Sequence, residues 1–123
     1  MALSISGFES VMDYTIVRQT AATTTADVNV AQGAGSLLSA KIDNSSGTAI
    51  CYLKLFDGDG AVPGTSIPQM VLRCPSAASQ VYEMPEGMEF TNLNLWVTRN
   101  PAPTDTTVPA ISGGSVIITL TIK

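Results

Sequence analysis

Cys51-Tyr52-Leu53-Lys54-Leu55-Phe56 alternates between two kinds of side chain and then runs into Asp57-Gly58-Asp59-Gly60, a string of turn residues. Successive side chains of an extended strand point to opposite faces. Cys51, Leu53 and Leu55 therefore share one face, and Tyr52, Lys54 and Phe56 share the other. The same period of two recurs along the chain, while the helical period is weak throughout. It predicts strands over Met12–Arg18, Ser36–Asn44, Thr48–Phe56, Pro68–Cys74, Ala78–Glu83, Asn92–Arg99 and Ser115–Lys123, with a short further strand within Val28–Gln32. Turn signals separate them, among them Asn44-Ser45-Ser46-Gly47, Pro85-Glu86-Gly87 and Ser112-Gly113-Gly114. Short strands at regular spacing make an all-β chain: a single antiparallel β-sandwich of jelly-roll or Greek-key type with seven or eight strands.

Alternation also assigns the faces. Leu38, Ala40 and Ile42 are expected to point one way, with Leu37, Ser39, Lys41 and Asp43 the other. Leu93, Leu95 and Val97 face in, leaving Asn94, Trp96 and Thr98 out. In the last strand Val116, Ile118, Leu120 and Ile122 line the core, with Ile117 outside. The outer face thus keeps Tyr52, Phe56, Trp96 and Ile117, an apolar patch of the kind a monomer rarely exposes. Aromatic side chains enrich the centres of protein interfaces, so these four residues are the expected subunit contact. Cover by the chain's own N-terminal arm and stacking on sugar rings are the rival roles.

Two stretches resist a strand reading. Ala21–Asp27, centred on Thr23-Thr24-Thr25, reads as a polar linker or long loop, and Asn100–Pro109, with three prolines, as a second long loop. Loops this long in a small domain are usually functional or mobile. The expected organisation is an N-terminal arm over residues 1–11 and a sandwich domain over residues 12–123, and 123 residues suit one domain.

Composition narrows the function. Apolar residues make up 45% of the chain and charged residues only 13%, with 26 Ser and Thr supplying most of the polarity, which is the opposite of a disordered chain. A net charge of −4 disfavours nucleic acid as a partner. No segment approaches the run of about 20 apolar residues that a membrane helix needs, and the N-terminus shows no basic leader, so neither a membrane nor a secretory route is expected. The spacing of Cys51 and Cys74 permits a disulfide. Their alignment with apolar neighbours favours free, buried thiols.

Catalysis finds little to stand on. The chain has no histidine, which removes the commonest general base and the commonest metal ligand. Asp57-Gly58-Asp59-Gly60 begins like a calcium loop, but Ala61, Val62 and Pro68 stand where a third oxygen ligand, the turn glycine and the closing glutamate belong. Glu83, Glu86 and Glu89 read as a solvated acidic loop rather than an acid–base pair, which requires carboxylates across a cleft. Gly33-Ala34-Gly35 lacks the third glycine and following helix of a phosphate-binding loop. No catalytic residue, cofactor or metal site is expected.

Several segments together resemble a known group of proteins. Cys51-Tyr52-Leu53-Lys54-Leu55-Phe56-Asp57, Val62-Pro63-Gly64-Thr65-Ser66-Ile67-Pro68 and Val71-Leu72-Arg73-Cys74-Pro75 are similar to a small family of phage structural proteins. Its members carry a Tyr-Leu-Lys-Leu-Tyr strand, a Val-Gly-Thr-Asp-Thr-Pro loop and a strand ending in Val-Pro. Leu95-Trp96-Val97-Thr98 and Asp105-Thr106-Thr107 resemble its later strand and its Asp-Thr-Thr loop, so the likeness covers Ile50–Val108. The chain departs from that pattern at Ser66, Ile67 and Cys74, where Asp, Thr and an aliphatic residue are typical.

The resemblance implies a virion component without catalytic activity, and the size and fold imply a capsid decoration (cement) protein. Its partners would be the major capsid protein and further copies of itself, as a homotrimer at three-fold positions of a phage head. It would be assembled in the host cytoplasm and end on the capsid surface. The arm offers Leu3, Ile5 and Phe8 at nearly alternating positions as its contacts with the capsid. Tail, neck or baseplate components and a carbohydrate-binding module for host attachment are the alternatives.

Overall fold

A computed structural model describes residues 14–123, so the arm with Leu3, Ile5 and Phe8 lies outside the described residues. Seven strands form within the described residues: β1 (Thr15–Ala22), β2 (Gly35–Asn44), β3 (Cys51–Asp57), β4 (Met70–Cys74), β5 (Ala78–Phe90), β6 (Leu93–Thr98) and β7 (Val116–Ile122). They pair antiparallel in two sheets, one of order β1-β7-β2-β5 and one of order β4-β3-β6. Stacked face to face, these make the expected β-sandwich.

The core lies where the two inner faces meet. Leu53, Leu55, Leu93, Leu95 and Val97 of the smaller sheet are fully buried, as are Ala40, Ile42, Ile118 and Leu120 of the larger. Alternation is the cause: β7 reads buried at Val116, Ile118, Leu120 and Ile122 and half-buried between them. Each such aliphatic side chain contributes about 1.5–3 kcal/mol on leaving water, before the entropy of ordering it is subtracted.

The grouping of faces in β2 is corrected. Leu37, not Leu38, shares the buried face with Ala40 and Ile42, and Leu38 is half-buried. A β-bulge between Leu37 and Ser39 adds one residue against β7, and an extra residue reverses the alternation on one side of it. The partner strand is irregular at the same place. Leu37 pairs with Met88 and Ser39 with Glu83, so Met84-Pro85-Glu86-Gly87 bows out opposite Leu38. Pro85-Glu86-Gly87 therefore does not end the strand. β5 continues to Phe90 because it is an edge strand, where a proline costs no ladder bond on the open side.

The short strand expected within Val28–Gln32 is replaced by a turn. Asn29 and Gln32 adopt positive φ (49° and 56°), and the Gln32 amide donates to the Asn29 carbonyl at 3.0 Å. The stretch before it instead lies along the free edge of β6. Val97 N donates to Thr23 O, Asp27 exchanges both backbone bonds with Leu95, and Val30 N donates to Leu93 O, all at 2.8–3.0 Å. The supposed linker thus covers an edge that would otherwise present unpaired backbone groups.

Cys51 and Cys74 are direct partners across the β3–β4 ladder, both buried and both free. Burial, and to a lesser degree the neighbouring Cys74, pushes the Cys51 thiol from 9.0 up to about 12. Burial pushes Cys74 up as well. A folded-state value above the unfolded one gives stability that is complete below pH 9.0 and is lost as pH rises toward 12. For Cys51 the loss is about 1.4 kcal/mol per pH unit within that window. Urea midpoints measured from about pH 8 to about pH 11 should fall steadily above the unfolded thiol's value. Cys51→Ala should make that fall shallower, and an unchanged slope would show that the thiol is not the titrating group.

Candidate functional site

The outer face of the three-stranded sheet holds three of the four residues expected to form the subunit contact. Register sets Tyr52 opposite Thr98, Lys54 opposite Trp96 and Phe56 opposite Asn94. Ile117 is not with them. It belongs to β7 in the other sheet, opposite Asp43, and so faces outward on the far side of the sandwich. Alternation orders residues within one strand, but it does not say which strands share a sheet.

The expected exposure is corrected too. Trp96, Lys54, Asn94 and Thr98 are all fully buried within the single chain, and Tyr52 and Phe56 are half-buried. Among the described residues the cover comes from a loop of the same chain. Asn100–Pro109, the second long loop, returns over this face as a strap. Lys54 Nζ donates to the carbonyl of Ala102 at 2.5 Å and to that of Asp105 at 3.4 Å, across 48 and 51 residues of sequence. Burial holds the Lys54 ammonium below its ordinary range, while the nearby Asp105 charge opposes that shift. A buried cation needs such partners, because a desolvated, unpaired charge is costly.

The strap is closed on itself by Asp105. Its carboxylate accepts from Asn100 N at 3.1 Å, Asn100 Nδ2 at 3.2 Å, Thr107 N at 3.3 Å and Thr107 Oγ1 at 2.7 Å. Burial pushes the Asp105 carboxyl up, but the bonds from Thr107 and Asn100 outweigh it and leave it below 3.8. Arg99 N donates to Thr107 O at 3.0 Å and ties the two ends together. On its outer side the strap meets the β3–β4 loop. A Cβ placed on Gly64 would stand 3.0 Å from Thr106 Cγ2, so the absence of a side chain there permits the approach.

Asn94 fixes the other end of the face. Its Nδ2 donates to the carbonyls of Gly58 at 2.7 Å, Asn92 at 2.9 Å and Phe56 at 3.1 Å, holding the Asp57–Gly60 turn. Asp57 is occupied in the same structural task, its Oδ1 accepting from the backbone amides of Thr91 and Asn92 at 3.0 and 2.9 Å. An open cleft of about 530 Å³ beside it is lined by Gly35, Asp57, Glu89 and Phe90 among others. It brings Glu89 toward Asp57, not toward Glu83 and Glu86. Among the described residues no group of three or more Asp, Glu, Cys or His side chains is placed to hold a metal ion.

A smaller cleft of about 230 Å³ lies at the foot of the strap between Ala49, Ile50, Tyr52, Arg99 and Asn100. Sequence reasoning did not find Lys54, Asp105 or Asn94 as organisers of this face. The one available signal was a lone lysine in an otherwise apolar strand, followed far downstream by an aspartate between threonines in a proline-rich loop. No family model, no curated protein and no solved structure matches the chain.

Proposed function

We propose that the chain is a non-enzymatic virion structural protein, a capsid decoration (cement) protein that stabilises a phage head by binding across neighbouring copies of the major capsid protein. The observation carrying this reading is that the distant segments resembling phage structural proteins build one unit. The Tyr-Leu-Lys-Leu strand supplies Lys54, the Asp-Thr-Thr loop supplies Asp105, and Lys54 ties them together. The Pro-Gly-Thr loop meets the same strap at Gly64. Three of the five strings that carry the likeness thus meet on one folded surface.

In this reading the protein is a homotrimer on the capsid surface, assembled in the host cytoplasm, and the arm with Leu3, Ile5 and Phe8 reaches toward adjacent capsid subunits. Separate tethered contacts reinforce one another, so an arm raises affinity without enlarging the domain. The burial of Trp96 removes it from any trimer contact. It also weakens the carbohydrate-binding alternative, which needs exposed rings, because Trp96 is fully buried and Tyr52 and Phe56 are half-buried.

Co-sedimentation of purified protein with empty heads tests the proposal. Saturable binding, a solution mass of three chains, and weaker attachment after deletion of residues 1–11 with the domain still folded are the expected results. Absence of binding to heads, or labelling confined to tails in electron micrographs of the virion, would overturn it.

A further inference from the structure

Two loops on the strap side of the sandwich share properties that folding alone does not require. Val62 and Ile67 in the β3–β4 loop are 54% and 71% exposed, and Val108 at the end of the strap is 64% exposed. The loops touch where Gly64 meets Thr106. Val71, also exposed, stands on the outer face of β4 directly across from Lys54, the residue that carries the strap. Apolar side chains are therefore held out to solvent on one side of the molecule.

Both loops are braced from within. Asp105 closes the strap with four hydrogen bonds. In the other loop the Val62 carbonyl accepts from Thr65 N and Ser66 N at 2.9 and 2.8 Å, and Val62 N donates to Ser66 Oγ at 2.9 Å. Loops that hold apolar side chains in water in a fixed form have already met the ordering cost that binding would otherwise impose.

Charge identifies the kind of partner. Gly60–Leu72 contains no Asp, Glu, Lys or Arg, and Asn100–Ile122 contains only Asp105, whose carboxylate is consumed inside the strap. Neither loop carries Lys or Arg for phosphates or an aromatic ring on which a sugar could stack. What remains is contact with an uncharged, apolar protein surface. We propose that the β3–β4 loop and the strap form a preformed ridge, with Val62, Ile67 and Val108 at its crest, that docks into an uncharged apolar recess on the capsid protein. This rests on the capsid reading and names the surface that would perform it.

The test measures binding of the full chain to empty heads formed from the major capsid protein. Ile67→Asp and Val108→Asp should each weaken binding by about thirty-fold, the effect of losing an interface hot spot. Their urea midpoints should stay unchanged, since both sites are exposed. Ile67→Ser and Val108→Ser, which remove apolar area without adding charge, should give a smaller loss in the same direction. Val81→Asp, at a site 51% exposed on β5 of the other sheet, should bind like the unaltered protein. Affinity should hold between about 50 and about 500 mM salt, because no charge pair is being screened. If the unaltered protein binds but the Ile67 and Val108 variants bind equally well, or Val81→Asp is weakened as much, the ridge is overturned and the capsid reading stands. A steep fall of affinity with salt would also overturn the ridge. If the unaltered protein does not bind heads, the capsid reading falls and this assignment falls with it.

Discussion

Trp96→Ala should lower the stability of the isolated chain by about 3–5 kcal/mol, the range for removing a large aromatic ring from a filled site. Trp96 is fully buried on the outer face of β6, opposite Lys54 and on the face the strap covers, so the cavity would open inside one molecule. Its Nε1 makes no hydrogen bond among the described residues, so the loss is one of packing rather than of a polar contact. Equilibrium unfolding in urea measures it directly. The shift should be the same at low and high protein concentration, because stability that depends on subunit association follows mass action and intramolecular packing does not. A destabilisation that vanishes at low concentration would return Trp96 to a subunit interface.

The inner faces were legible because one physical rule decides them. Leu53, Leu55, Leu95, Val97, Ile118 and Leu120 sit in regular strands, where a period of two leaves no freedom about which side chains enter the core. Leu37 was not legible. Two adjacent leucines fit either register, and only the bulge against β7 and the bow of Met84–Gly87 decide between them. Those are properties of strand pairing, which a single strand's pattern does not contain.

The candidate site was hidden for a related reason. Trp96, Tyr52 and Phe56 were correctly placed on an outer face, but outer does not mean exposed when a loop returns over it. The contact that brings it back, Lys54 to Ala102 and Asp105, spans 48 and 51 residues of sequence. Composition favoured the opposite inference, since aromatic side chains enrich the centres of protein interfaces. Ile117 failed for want of topology: β7 pairs with β1 and β2, a connection that no local pattern in Ser115–Lys123 encodes.

Gly47→Ala should cost about 2–4 kcal/mol, although it adds a single methyl group. Gly47 closes the β2–β3 turn, donating its N–H to the Asn44 carbonyl at 2.9 Å and accepting from Ala77 N at 3.0 Å. A Cβ at this position would overlap the Asn44 side-chain amide, with Nδ2 at only 2.6 Å. That amide has nowhere to go. Asn44 is 1% exposed, and its Nδ2 donates to the carbonyls of Ala49 and Pro75, each at 3.0 Å, joining the turn to the end of β4. Accommodating the methyl group means expelling the amide and leaving two carbonyls of half-buried residues unpaired, at about 1–2 kcal/mol for each. A double-mutant cycle separates this from a generic effect of replacing glycine. Asn44→Ala should itself destabilise the fold, since it strands the same two carbonyls. With the amide gone, adding Gly47→Ala should then cost less than about 1 kcal/mol, because the methyl group enters the space the side chain vacated. If the two losses simply add, the Asn44 amide is not what forbids a side chain at Gly47, and the backbone of the turn must be.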